Sequence, residues 1–174
     1  MLSLSPAVPE APYSQGYTRY VLCMVLLTMV FSNVDRTILS ILVEPVKDEF
    51  ALSDTQVSFL LGPAFAIVYS MLVLPMGRWA DSTGIRRNII SGSLFVWSLF
   101  TVATGFVSSH VQLIVMRMGV GVGEAGATAP SISMLSDYLP AERRAQGMSV
   151  ISIGAVVGMG LGMVVGGWIH EGYG

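Results

Sequence analysis

The stretch Ala145–Ile169, AQGMSVISIGAVVGMGLGMVVGGWI, decides the fold class of this protein. Its 25 residues contain no Asp, Glu, Lys, Arg or His. A helix of about 20 predominantly apolar residues is long enough to cross the hydrocarbon core of a bilayer. The stretch is therefore predicted to be a transmembrane helix.

The whole chain shares this apolar character. Its 174 residues carry a net charge of −2, with 53% hydrophobic and 11% charged residues and a mean hydropathy of +0.69. A soluble domain of this length has about 25% charged residues and too little interior to bury so much apolar side chain. Nine Lys and Arg against eleven Asp and Glu exclude a basic nucleic-acid-binding surface. The single cysteine, Cys23, excludes a disulfide framework or a zinc cluster, and neither a metal nor a cofactor is predicted.

Four further stretches are long and apolar enough to cross a membrane. Because strands of a membrane barrel would be about ten residues long with alternating polarity, helices are the predicted spanning form. The predicted fold is an all-α polytopic membrane protein with five transmembrane helices. Residues 1–16, which include three prolines, are predicted to form a flexible cytoplasmic tail. The predicted spans are 20–43, 57–76, 89–107, 111–135 and 145–169.

The basic residues outside the spans predict the orientation. The six arginines among them lie before the first span and in the gaps after the second and fourth spans, whereas the gap after the first span contains Lys47 but is net acidic. Lys and Arg are enriched in cytoplasmic loops. The N-terminus and the second and fourth gaps are therefore predicted to be cytoplasmic, in a bacterial inner (plasma) membrane. The arginines outside the spans, on which this orientation rests, are Arg19, Arg78, Arg86, Arg87, Arg143 and Arg144.

Four charged residues remain inside the predicted spans: Asp35 and Arg36 in the first, Arg117 and Glu124 in the fourth. Each costs about 2.5–3.5 kcal/mol near the bilayer centre. Their depths, at about 1.5 Å per residue, predict an Asp35–Arg117 pair and an Arg36–Glu124 contact. These pairs either fix helix packing or line a polar cavity in which a substrate or proton displaces one partner. We favour the cavity, because apolar residues would serve stability alone better than buried ion pairs.

Two glycine patterns accompany the charges. Gly119, Gly121, Gly123 and Gly126 surround Glu124, which indicates close backbone approach or an opening for substrate. A second set recurs every four residues in the fifth span and predicts close helix packing, either static or as a sliding surface. This set is Gly154, Gly158, Gly162 and Gly166. Transporter halves are often built from two inverted three-helix repeats in which the first helix corresponds to the fourth, and these are the two charged spans.

The second gap reads Gly77-Arg-Trp-Ala-Asp81-Ser-Thr-Gly84-Ile-Arg86-Arg87. This segment resembles the cytoplasmic loop motif G-x-L-A-D-R-x-G-R-K/R of the major facilitator superfamily. In such a loop Asp81 can hold a neighbouring helix N-terminus while Arg86 and Arg87 bridge cytoplasmic helix ends. A tight basic turn that only obeys the orientation rule is the simpler alternative.

Longer segments resemble the spinster-like family within that superfamily. They begin at Asp35-Arg-Thr-Ile-Leu-Ser, at Arg117-x-Gly-Val-Gly-Val-Gly-Glu124 and at Ser136-Asp-Tyr-Leu-Pro. The resemblance implies that residues 17–174 form an incomplete N-terminal six-helix half of a twelve-helix transporter. It also implies that the four membrane charges take part in proton coupling or substrate gating, and that the substrate is lipid-like or amphipathic. The first-span Asp-Arg pair is shared with anion:cation symporters, so an organic acid is the alternative substrate.

The sequence thus predicts a secondary active, proton-coupled transporter rather than an enzyme. His110 and His170 lie in separate gaps and form no catalytic constellation. A non-transporting membrane scaffold of this fold is a further alternative, although it would need none of the buried charges. The expected partners are a small organic or lipid-like substrate, protons and membrane lipids, with no nucleic acid. Because five spans make an odd number and the last residues resemble a truncated loop, we expect the remaining transporter helices to lie outside this chain.

Overall fold

The computed structural model of the protein describes residues 14–173, and within that range it is helical with no strand. The all-α class is therefore confirmed. Residues 1–13 of the predicted tail, which was expected to span 1–16, lie outside the described residues. Its last residues, Gln15 and Gly16, belong to the first helix, because the Ser14 side chain caps that helix by accepting a hydrogen bond from the Tyr17 backbone. The helices are α1 (Gln15–Ile41), α2 (Val43–Glu49), α3 (Asp54–Leu61), α4 (Pro63–Thr83), α5 (Arg86–Thr104), α6 (His110–Tyr138) and α7 (Arg144–Tyr173), with a 3₁₀ turn at Ala141–Arg143.

Three helical stretches in the described residues are long and apolar enough to cross a membrane. They are Gln15–Ile41, Asp54–Thr83 and Arg144–Gly172. The predicted spans 89–107 and 111–135 coincide largely with α5 and α6, which are not among these three stretches. Five membrane crossings therefore remain a prediction.

The second predicted span, 57–76, is divided between two helices. A capping box begins α3, in which Ser53 and Gln56 bond each other's backbone. Pro63 cannot donate a backbone hydrogen bond, and it stands at the first position of α4, where the missing N–H costs nothing. The chain therefore breaks at Gly62, whose φ and ψ are −113° and −83°.

Two pairs of helices pack in the same parallel manner. In the first pair, α7 runs alongside α1, with Gly154 against Met29 at one end and Gly166 against Ile41 at the other. The glycines let the two backbones approach closely, as small residues do in membrane helix packing.

The second pair is α4 and α6. Gly121 faces the backbone oxygen of Phe65, and Gly77 faces Ala129. The contacts Ile41–Gly166 of the first pair and Gly77–Ala129 of the second correspond to each other, because Ile41 and Ala129 lie 88 positions apart and Gly77 and Gly166 lie 89 positions apart. In this correspondence α1 matches α6 and α4 matches α7, as expected of an internal repeat.

Helix α5 packs against α6 in the antiparallel direction. The glycine positions of α6 meet Phe100, Trp97 and Ser93 in turn, so closely that an added Cβ would lie 2.1–2.5 Å from the nearest atom. These glycines, 119, 123 and 126, thus serve close helix approach rather than an opening.

Candidate functional site

A cluster of charged side chains lies where α1 meets α6. Nη2 of Arg36 lies 2.5 Å from Oε1 of Glu124, and the hydroxyl of Ser32, one turn earlier on α1, donates to the same oxygen. The Glu124 side chain is 3% exposed, whereas the Arg36 side chain is 44% exposed. The pair therefore connects a buried carboxylate with an arginine whose side chain is partly exposed.

Asp35 and Arg117 form the second ion pair of the cluster. Nη1 of Arg117 lies 3.2 Å from Oδ2 of Asp35, and both side chains are largely buried. Within the described residues, the buried Nε of Arg117 has no hydrogen-bond partner. The structure thus contains both pairs expected from the sequence, and the four charges sum to zero.

Two aromatic rings of α4 complete the cluster. The guanidinium carbon of Arg36 lies 4.6 Å from the centre of the Phe65 ring and 5.8 Å from that of Tyr69. The guanidinium carbon of Arg117 lies 5.7 Å from the same Phe65 ring. Phe65 and Tyr69 stack on each other, with ring centres 5.3 Å apart and an interplanar angle of 20°. One ring of α4 therefore faces both arginines.

A second polar cluster joins the predicted cytoplasmic ends of α4, α5 and α6. Arg86 contacts Asp81 through Nε at 3.0 Å and Nη2 at 2.9 Å, and its Nη1 contacts Asp137 of α6. Ser133 of α6 donates to Asp81 at 2.8 Å. The hydrogen bond to Asp137 is the main cause that raises the pKa of Arg86. Arg86 therefore bridges helix ends, and Asp81 binds side chains of α5 and α6.

The other residues of the motif at 77–87 lie outside the cluster formed by Asp81 and Arg86. Gly84 ends α4 in the left-handed conformation, with φ +68°, which favours glycine. Gly77 packs against Ala129 of α6. Arg87 does not join the Arg86 network but lines a groove between α1, α5 and α6.

This groove has a volume of about 1010 Å³ and is lined mainly by apolar side chains. Of the four membrane charges, Asp35 alone lines it. Phe31, Asp35 and Ile38 of α1 line the groove. Adding 88 to their residue numbers gives 119, 123 and 126, the glycines of α6 that contact α5. The groove therefore lies against the face of α1 that corresponds to the α5-facing side of α6.

An exposed ion pair links α2 to α3, away from the cluster. Nζ of Lys47 lies 2.6 Å from Oδ1 of Asp54. The hydrogen bond between them lowers the pKa of Asp54 and raises that of Lys47.

Sequence reasoning did not find several residues of these clusters. Ser32 lies four positions before Arg36, a spacing that places both on one helix face. This spacing could have indicated that Ser32 belongs to the same cluster as Arg36. Phe65 and Tyr69 are neutral residues in an apolar run and carry no such signal. Asp137 stood in a quoted motif, but only the packing of α6 beside α5 identifies Arg86 as its partner.

Long apolar helices and a neutralised charge cluster between helices define an integral, multi-pass membrane protein. The chain belongs to the Major Facilitator Superfamily, whose family model matches residues 25–174. This membership places it in a superfamily of transporters and confirms that it is not an enzyme.

Individual relatives agree with this assignment. An MFS-type efflux pump of Mycolicibacterium smegmatis is 33% identical over 141 residues, which cover 81% of this chain and 33% of the pump. A D-galactonate transporter of Escherichia coli is 28% identical over 165 residues, covering 94% of this chain and 38% of that protein. The chain thus spans about a third of the length of these curated relatives.

A solved structure confirms the resemblance to the spinster-like family. The inward-facing, unoccupied crystal structure of a bacterial homolog to the human lysosomal transporter Spinster is 37% identical, with a TM-score of 0.84. The match covers 90% of this chain and 33% of that one. At this identity the likeness extends to sequence as well as to fold.

Proposed function

We propose that the protein works as a secondary active transporter by alternating access and that transport is coupled to protons. Glu124 is the proton-binding carboxylate, and Arg36 contacts an anionic group of the substrate. One observation carries the proposal: the carboxylate of Glu124, whose side chain is 3% exposed, is bonded to Arg36, whose side chain is 44% exposed. Substrate can reach Arg36, and a change at Arg36 acts directly on Glu124.

The coupling follows from charge balance. Opposite charges attract more strongly in a low-dielectric interior than in water, so ionised Glu124 holds Arg36. Protonation of Glu124 removes this attraction, so Arg36 is available to bind an anionic group of the substrate. The charge of that group then balances the charge of Arg36. The Asp35–Arg117 pair keeps the remaining charge of the cluster balanced. Proton and substrate therefore favour each other's binding, as linkage requires.

The proposed substrate is a lipid-like or amphipathic organic solute. We propose this class because the sequence resembles the spinster-like family, and the 37% identity to the bacterial Spinster homolog supports that resemblance. An organic acid is the second candidate, supported by the similarity to a protein named as a D-galactonate transporter. Both candidates supply an anionic group for Arg36.

Thermal unfolding of the full-length protein distinguishes the two candidates. A ligand that binds the native state raises its stability. We expect a lysophospholipid above its Kd to raise the unfolding midpoint and D-galactonate to leave it unchanged, with the rise lost in Arg36→Leu. The reverse pattern supports the organic-acid alternative, and an equal rise in Arg36→Leu contradicts the role of Arg36.

For the domain organisation, we propose that residues 17–174 form part of a six-helix half, with spans 20–43, 57–76, 89–107, 111–135 and 145–169. In the whole protein, a further helix related to α5 by the internal repeat covers the groove on α1. The proposed setting is a bacterial inner membrane with a cytoplasmic N-terminus. In a Cys23→Ser background, we expect Ser53→Cys to react with an impermeant thiol reagent added outside the cell and Ser82→Cys to react only after permeabilisation.

Two further sites take proposed roles in the transport cycle. Asp81 and Arg86 form a cytoplasmic latch, and Gly77, Gly84 and Arg87 belong to the same sequence motif. The glycine positions 154, 158, 162 and 166 form the surface on which α7 packs against α1.

A further inference from the structure

Arg36 is held in two physically different ways. One is its ion pair with Glu124, which depends on the charge of a carboxylate. The other is its position over the rings of Phe65 and Tyr69, where the ring quadrupole attracts a cation. This second interaction does not depend on the protonation of Glu124.

The rings are themselves fixed in place. Phe65 is 8% exposed and belongs to the buried core with Trp97 and Val120. Its backbone oxygen would lie 3.2 Å from a Cβ added at Gly121, so α4 and α6 are in close contact at this point. A guanidinium that rests on these rings therefore rests on a rigid part of the protein.

We propose that Phe65 and Tyr69 form an aromatic platform that keeps Arg36 at the site when Glu124 is neutral. The inference rests on the proposed function. In it, Phe65 and Tyr69 are positioning residues for Arg36, which contacts the anionic group of the substrate. A half-exposed arginine with the ion pair alone would leave the site once the carboxylate lost its charge. The platform keeps the guanidinium beside Glu124, with its other nitrogen atoms directed to a ligand.

Chemical modification of arginine tests the platform without a known substrate. The purified full-length protein is treated with phenylglyoxal, and the modification of Arg36 is measured by peptide-resolved mass spectrometry relative to exposed Arg78. Glu124→Gln mimics the neutral carboxylate. We expect this variant to change the relative modification of Arg36 less than twofold, because the platform still holds it.

Removing one ring in the same background gives the decisive comparison. Glu124→Gln with Tyr69→Leu is expected to raise the modification of Arg36 by roughly 2- to 30-fold, the range that corresponds to a cation–π contact. Glu124→Gln with Tyr69→Phe is the matched control and is expected to match Glu124→Gln alone. Continued protection of Arg117 checks that the fold is kept, and Tyr69→Met replaces Tyr69→Leu if that protection is lost.

Two results would overturn the inference. One is that Glu124→Gln alone raises the modification of Arg36 to the level of Arg78. The other is that loss of a ring adds nothing to Glu124→Gln. Neither result involves uptake, so failure of the platform is distinguishable from failure of proton-coupled transport, which a separate uptake measurement tests.

Discussion

Replacing Gly158 by alanine tests the close packing of α7 on α1. A Cβ at this position would lie 2.4 Å from the carbonyl oxygen of Val30 and 2.8 Å from Cβ of Asn33. Real Cβ contacts essentially never fall below 3.0 Å, so α7 must retreat by at least about 0.6 Å. A gap of this size forfeits about a quarter or more of the local contact energy. Overpacking of this kind costs about 1–3 kcal/mol.

Gly160 on the same helix supplies a matched control. A Cβ added there meets nothing within 4 Å. Alanine improves the intrinsic helix propensity by up to about 1 kcal/mol at either position, so this gain cancels when the two variants are compared. The difference between Gly158→Ala and Gly160→Ala is therefore the packing cost, about 1–3 kcal/mol.

Thermal unfolding of the two purified variants in one detergent, followed by circular dichroism, measures this difference. For a chain of this size, 1 kcal/mol corresponds to about 2–4 °C. We expect the midpoint of Gly158→Ala to lie about 2–12 °C below that of Gly160→Ala. Equal midpoints would refute the close approach of α1 and α7 at this position.

Three further predictions concern the helix ends. Asp137→Asn removes one carboxylate from Arg86, so we expect about 0.2–1 kcal/mol of lost stability in thermal unfolding, with Asp137→Glu closer to wild type. Gly84→Ala places a Cβ in the left-handed region and is expected to cost about 1–2 kcal/mol, whereas Gly84→Asn should cost less; equal costs would contradict the φ of +68°. Because Lys47 lowers the pKa of Asp54, their pair stabilises the fold above the ordinary Asp pKa of about 3.9, and this contribution is lost as pH falls through the lowered value. The unfolding midpoints of wild type and Asp54→Asn should therefore converge in acid, and a constant offset down to the lowest pH would contradict the pair.

The sequence was sufficient to predict the charged pairs of the site. The spans fix the depth of each residue at about 1.5 Å per position, and the cost of an unpaired charge in the membrane requires a partner at similar depth. Asp35–Arg117 and Arg36–Glu124 satisfy that requirement, and the structure contains both contacts.

Neutral partners were not predictable in the same way. Ser32, Phe65 and Tyr69 cost little in an apolar environment, so nothing in the sequence requires that they meet a charge. Their roles depend on the angle at which α4 crosses α1 and α6. The division of the second span was also missed, because the apolar run 57–76 predicted one continuous helix, whereas Pro63 begins a new one.

In the proposed mechanism, a proton on Glu124 drives transport. The most direct measurement is uptake by the full-length protein in proteoliposomes, with an imposed proton gradient and without one, for wild type and Glu124→Gln. We expect Glu124→Gln to lose accumulation driven by the gradient but to retain exchange of substrate across the membrane. Accumulation in Glu124→Gln that still responds to the gradient as in wild type would contradict it.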